Sequence, residues 1–145
     1  VDFAHTPDGL EKALNVLAPL ARNRAGDLIC VFGCGGNRDV SKRPIMGKIS
    51  AEIANKVIVT SDNPRNENPH QIIHQIVQGI PLELRSKVTV LEDRANAILN
   101  AVKMAQVNDV IVVAGKGHEN TQEIMGKKFP FSDQDHLRLA LRRIV

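Results

Sequence analysis

Three apolar runs, Leu28-Ile29-Cys30-Val31-Phe32, Val57-Ile58-Val59-Thr60 and Val110-Ile111-Val112-Val113-Ala114, each give way to a loop of glycines or charges. Runs this short, with no charged residue on either face, belong to strands covered on both sides, as in a parallel sheet. Parallel strands cannot be joined by tight turns and need crossovers of a dozen residues or more, usually helical. The chain must therefore supply helices between its strands.

It does so throughout. Thr6-Pro7 offers an N-cap and a proline at the first helical position, and Leu10, Ala13, Leu14, Leu17 and Ala21 then follow helical spacing, predicting a helix over 7–23. A second helix is predicted from near Pro44 to about Asn55, and a third from Pro69 with the stripe Ile72, Ile73, Ile76, Val77 and Ile80. Lys87 to Leu91 reads as another strand, and Asp93 caps a helix carrying Ala95, Ile98, Leu99 and Val102. Residues 121–131 read as two extended segments turning at Gly126, and Asp133 or Asp135 as the cap of a last helix with Leu137, Leu141 and Ile144 inward. The expectation is a single α/β domain over 1–145, doubly wound on a mainly parallel sheet, with an antiparallel edge from the segments around Gly126.

Ligands of such sheets sit beyond the carboxyl ends of the strands, and that is where the chemistry-bearing residues fall: Gly33-Cys34-Gly35-Gly36-Asn37-Arg38-Asp39, Asp62-Asn63-Pro64-Arg65 and Gly115-Lys116-Gly117-His118-Glu119. Pro64 stiffens its loop, so that Arg65 offers a planar two-pronged donor and Asp62 an acceptor, a clamp for a ligand of both charges; the same tetrapeptide also suits a turn that caps the next helix. The glycine cluster either cradles an anion or makes a tight turn. It is neither the phosphate loop Gly-x4-Gly-Lys-Ser/Thr nor the dinucleotide spacing Gly-x-Gly-x-x-Gly, which argues against a dinucleotide-dependent oxidoreductase. At the start of the chain, Asp2 and His5 suit a ribose and a phosphate, and Thr6 and Asp8 equally suit a helix cap.

Composition excludes several functions. At 145 residues the chain can bury a real core. It has no apolar stretch approaching a membrane span and no secretion signal at Val1, so a cytoplasmic protein away from membranes is expected. Cys30 and Cys34 are badly spaced for a disulfide or zinc site, and His70 and His74 lack a third ligand, so no metal site is expected. The net charge of +3 is scattered, and a chain without Trp or Tyr has no stacking platform for nucleic acid.

Taken with Asp2-Phe3-Ala4-His5-Thr6-Pro7-Asp8 and Lys42-Arg43-Pro44, the three loops resemble the Mur ligase family. The match is to the C-terminal domain of members that add meso-diaminopimelate to UDP-N-acetylmuramoyl-L-alanyl-D-glutamate, and it spans essentially the whole chain in order. The resemblance implies a Rossmann-like fold and an ATP-dependent amide ligase of peptidoglycan-precursor synthesis, working through an acyl phosphate. It implies diaminopimelate binding by Arg38, Asp62, Asn63, Pro64, Arg65, Gly115 and Glu119, and a nucleotide-facing stretch at Asp2, His5 and Thr6. Phe3 stands where the family often has tyrosine, which removes a hydroxyl near the nucleotide. No catalytic residue is assigned within the chain. The UDP-binding and central ATPase domains, and with them ATP and Mg2+, are expected N-terminal to Val1, so the fragment alone should be inactive and monomeric. Arg65 favours diaminopimelate over lysine. The lysine-adding form of the ligase and a free-standing amino-acid-binding module are the alternatives.

Overall fold

The structure, a computed structural model, describes residues 1–143. Strands β1 (Leu28–Phe32), β2 (Lys56–Val59), β3 (Val88–Val90) and β4 (Val110–Val113) form one sheet in the order β3-β2-β1-β4, and every pairing in it is parallel. Helices α1 (Pro7–Asn23), α2 (Lys42–Ile53) and α3 (Pro69–Gln78) cover one face, and α4 (Arg94–Met104) and α5 (Asp133–Arg143) cover the other. Alternation along β1 divides the core: Leu28, Cys30 and Phe32 point to Leu10, Leu14, Met46 and Ile76, whereas Ile29 and Val31 point to Ala97, Ile98 and Ala101. This is the doubly wound arrangement that the apolar runs predict.

The chain moves outward from β1 through β2 to β3, then returns to place β4 on the other side of β1. The strand order therefore reverses between β1 and β4, and the crevice at their carboxyl ends is the topological switch point where ligands of open α/β sheets bind. The free edge of β4 is extended by the start of the chain: the Asp2 amide donates to Val113 O at 2.9 Å, and the Gly115 amide donates to Asp2 O at 3.0 Å. Those two bonds bring the N-terminal segment to the same crevice.

Several elements differ from the sequence expectation. α2 starts at Lys42, two residues before Pro44, since a helix's first turn has free N–H groups and tolerates proline. Lys87 closes a 3-10 turn over Leu82–Lys87, leaving β3 short and exposed at Val90 because it is the sheet edge. Ser132 caps α5, its hydroxyl accepting from the Asp135 amide at 3.2 Å, while Asp133 enters the helix and is buried against Arg94. Ala140 rather than Leu141 is buried on α5, and Ile144 lies outside the described residues. The antiparallel pair is present as β5 (Thr121–Ile124) and β6 (Lys127–Pro130), a separate sheet docked on the Asp62 loop through a bridge between Arg65 and Ile124.

Candidate functional site

A cleft of about 140 Å3 opens at the switch point, and its walls include His5, Arg38, Asp62, Asn63, Arg65, Gly115 and Glu119, together with Lys42 and Phe3. The three carboxyl-end loops and the N-terminal segment thus converge. Asp2 and Thr6 line an adjoining shallow groove that shares Phe3 and His5 with the cleft. Their side chains are engaged locally, Asp2 Oδ1 accepting from the Ala4 amide at 2.7 Å and Thr6 Oγ1 from the Gly9 amide at 3.1 Å. Pro64 is absent from the wall and stands behind it against Gly36, where a Cβ would come within 1.9 Å of Pro64 O. Only glycine lets the two loops approach so closely, and the Gly36 amide donates to Asn63 O at 2.7 Å across that contact. A larger hollow of about 370 Å3 between α4 and α5 has Leu99, Leu139 and Ala140 on its walls, without the cleft's convergence of charges.

Two buried arginines fix the loops from behind. Arg43, in the first turn of α2, donates to both carboxylate oxygens of Glu67, to Gln75 Oε1 and to Gly35 O, which ties the glycine loop to the segment after Arg65. That guanidinium, followed by the Asn37 amide, holds the Glu67 carboxyl below the usual carboxylate range. Arg94 makes a two-pronged bond to Asp133, with both distances 2.7 Å, and donates to Ser61 O at 3.0 Å and Ala114 O at 3.1 Å. Ser61 and Ala114 immediately precede Asp62 and Gly115, so one side chain sets the spacing of two cleft walls. Burial opposes the charge on Arg94, but the Asp133 carboxylate, joined by the charges of Asp62 and Glu119, offsets it and the pKa is raised.

Lys116 occupies the floor with no exposed surface. Its ammonium donates to Asn63 Oδ1 at 2.7 Å and Thr121 O at 3.1 Å, and lies 3.0 Å from Asp62 Oδ1 and 3.9 Å from Glu119 Oε1. The contact with Asp62 is an ion pair without hydrogen-bond alignment, and Oδ1, shut off from solvent, has no hydrogen-bond partner. Gly115 has φ +118°, and a Cβ there would lie 3.1 Å from Asp62 Oδ2; glycine serves both the backbone and the space. Asn63 plays a scaffolding part through its side-chain oxygen, which accepts from Lys116 and from the Glu123 amide at 2.9 Å.

Arg65 has the opposite character to the two framework arginines. It adopts φ +52°, unusual for a residue with a Cβ, and is held there by backbone bonds to β5 and the hairpin turn: its amide donates to Glu123 O at 3.0 Å and its carbonyl accepts from Met125 at 2.7 Å. Its Nη1 donates to Gly36 O at 2.9 Å, and Nε lies 3.7 Å from Glu123 Oε2. The remaining N–H groups are free to meet a ligand. Arg38, exposed on the cleft rim, contributes a second guanidinium. Cys34 is also in the wall, but burial pushes its thiol pKa up to about 12, so no nucleophilic thiolate is available there.

The cleft therefore brings both signs of charge together: the Arg65 and Arg38 guanidiniums, and the Asp62 and Glu119 carboxylates with Lys116 beside them. Sequence reasoning had grouped these residues correctly by their common edge, but assigned no part to Arg43, Glu67, Arg94, Asp133 or Glu123. One local signal was present: Arg43 and Arg94 sit in first helical turns, where the helix dipole disfavours cations. A cation placed there needs a tertiary partner.

The family model for the Mur ligase, glutamate ligase domain, matches residues 1–117. A UDP-N-acetylmuramoyl-L-alanyl-D-glutamate--2,6-diaminopimelate ligase from Ralstonia nicotianae is 58% identical over 97% of the chain and 27% of its own length. Proteins of the same name from an Acidovorax species and from Synechococcus elongatus are 54% and 52% identical, over 99% and 97% of the chain and 28% and 27% of their lengths. A solved structure of a ligase with this name superposes with TM-score 0.87 at 43% identity, covering 98% of this chain and 28% of the other. The chain thus spans just over a quarter of the length of the relatives it matches.

Proposed function

The chain belongs to the Mur ligase family as its glutamate ligase domain, and on that premise we propose that it is the C-terminal, amino-acid-binding domain of a longer ATP-dependent ligase, one that joins meso-diaminopimelate to UDP-N-acetylmuramoyl-L-alanyl-D-glutamate in peptidoglycan synthesis. The observation that carries this reading is the mixed charge of the cleft: the guanidinium residues Arg65 and Arg38 share its wall with the carboxylate residues Asp62 and Glu119. Diaminopimelate has two amino-acid ends. One must be held as a zwitterion while the other offers a neutral amine for attack. Arg65, with Arg38, takes the distal carboxylate, and Asp62 with Glu119 takes the distal ammonium.

The chain's own contribution is positioning. With the far end fixed, the near amine loses its proton and attacks the carbonyl carbon of the activated D-glutamate carboxylate; a C–N bond forms, and the C–O bond to phosphate breaks. ATP supplies that activating phosphoryl group. The sequence of this chain carries no Gly-x4-Gly-Lys-Ser/Thr phosphate loop. On this reading nucleotide and Mg2+ belong mostly to the remainder of the longer protein, with Asp2, His5 and Thr6 on the side facing the nucleotide. No helix of the described residues is long and apolar enough to cross a membrane, and the reading places the enzyme in the cytoplasm.

The test is ligation by the complete protein with meso-diaminopimelate or L-lysine as acceptor. Diaminopimelate should be used with at least about 10³-fold greater kcat/KM, because lysine leaves Arg65 without its carboxylate. Equal use of lysine would refute the clamp, and diaminopimelate binding without any ligation would leave only a binding module.

A further inference from the structure

The hairpin β5–β6 lies beyond residue 117, where the family match ends, yet it touches the cleft at its most selective residue. We propose that Glu123 on β5 is the standing counter-ion of Arg65, a specificity-tuning residue whose charge competes with the ligand's distal carboxylate for the guanidinium. The proposal rests on the diaminopimelate reading of the cleft.

Its basis is geometric. Glu123 Oε2 lies 3.7 Å from Arg65 Nε, close enough for charge but beyond a hydrogen bond, so it neutralises the guanidinium without engaging a donor. Its main chain is pinned on both sides, the amide donating to Asn63 Oδ1 at 2.9 Å and the carbonyl accepting from the Arg65 amide at 3.0 Å. The carboxylate is therefore tethered beside Arg65. The two side chains are 18% and 30% exposed, so the attraction is screened only in part. Glu123 is absent from the cleft wall, whereas Arg65 is part of it and spends one side-chain donor on Gly36 O, which leaves other guanidinium N–H groups to a ligand.

Two consequences follow. A standing negative charge beside Arg65 weakens its hold on an incoming carboxylate and eases product release. The same charge lowers the penalty for a ligand that lacks a distal carboxylate, because Arg65 then keeps a partner. Glu123 thus moderates both affinity and discrimination.

The experiment uses the complete protein, with kcat and KM measured for meso-diaminopimelate and L-lysine in the wild type, Glu123→Gln and Glu123→Asp. Gln keeps the shape and removes the charge. KM for diaminopimelate should fall about 3–10-fold with kcat within about twofold, while KM for lysine should not fall. Glu123→Asp, which draws the charge back, should lie between wild type and Gln. A KM for diaminopimelate that is unchanged or raised in either variant overturns the proposal, as does an equal fall for lysine. A wild-type protein that ligates lysine as well as diaminopimelate would instead overturn the reading of the cleft itself, and this inference with it.

Discussion

Arg94 and Arg65 stand at the same edge of one sheet, and they do different work. Arg94 is buried, and its guanidinium is engaged by Asp133, Ser61 O and Ala114 O. Arg65 is partly open and makes one hydrogen bond through its side chain, to Gly36 O. Burial and pairing mark the frame of this site, and on the proposed reading unengaged donors mark its working surface. An arginine's role here follows from where its N–H groups are already committed.

The sharpest break in that contrast comes from Arg65→Ala in the complete protein. Diaminopimelate turnover should fall by roughly 10³–10⁴-fold in kcat/KM, because the ligand's carboxylate would enter a cleft without its partner. Amide exchange in the core strands should hardly change, since the fold uses Arg65 mainly through its backbone. Arg94→Met should do the reverse. Leaving Asp133 buried and unpaired should cost about 3–5 kcal/mol, seen as faster exchange at Val31 and Val113, and Arg94→Met with Asp133→Leu should recover much of the loss. An Arg94 variant with normal core protection would erase the distinction between frame and surface.

The frame was the less legible of the two in the sequence. The apolar runs declared the strands and their carboxyl ends, so Arg38, Asp62, Arg65, Gly115 and Glu119 were placed on one edge without any knowledge of strand order. The pairs Arg43–Glu67 and Arg94–Asp133 join residues far apart in the chain, and no local pattern specifies such partners. Asp133 shows how the error arises. It has the residue type of an N-cap and sits one position too late, because Ser132 takes the cap and frees the carboxylate for Arg94. The family resemblance gave Asn63 and Pro64 a share in diaminopimelate binding; in the structure Asn63 lines the cleft and anchors Lys116, and Pro64 stands behind the wall against Gly36.

Lys116 falls between the two classes. It is buried like Arg94 but its partners, Asp62 and Asn63, belong to the cleft. Lys116→Met should cost about 2 kcal/mol of local protection around Thr121, less than Arg94 because Asp62 borders the cleft and can be rehydrated. It should also raise the diaminopimelate KM more than it lowers kcat. A purely structural lysine would instead lower the apparent kcat in proportion to the folded fraction and leave KM unchanged.

The smallest effect is expected at Glu67, the frame's partner to Arg43, where pH provides the lever. Its folded pKa is lowered by the Arg43 guanidinium and then by the Asn37 amide. A depressed carboxylate contributes stability that is fully present above the unfolded value, near 4.3 for glutamate, and is lost as pH falls through the lower folded value. Glu67→Gln should therefore weaken protection of the Asn37 amide by about 1 kcal/mol at pH 7, in keeping with a partly exposed pair. The gap between wild type and variant, each measured at the same pH, should close as the medium is acidified below the ordinary glutamate range. A gap that stays constant with pH would mean that Glu67 holds the glycine loop by shape alone, and that Arg43, not the ion pair, is what keeps the Gly35 wall of the cleft in place.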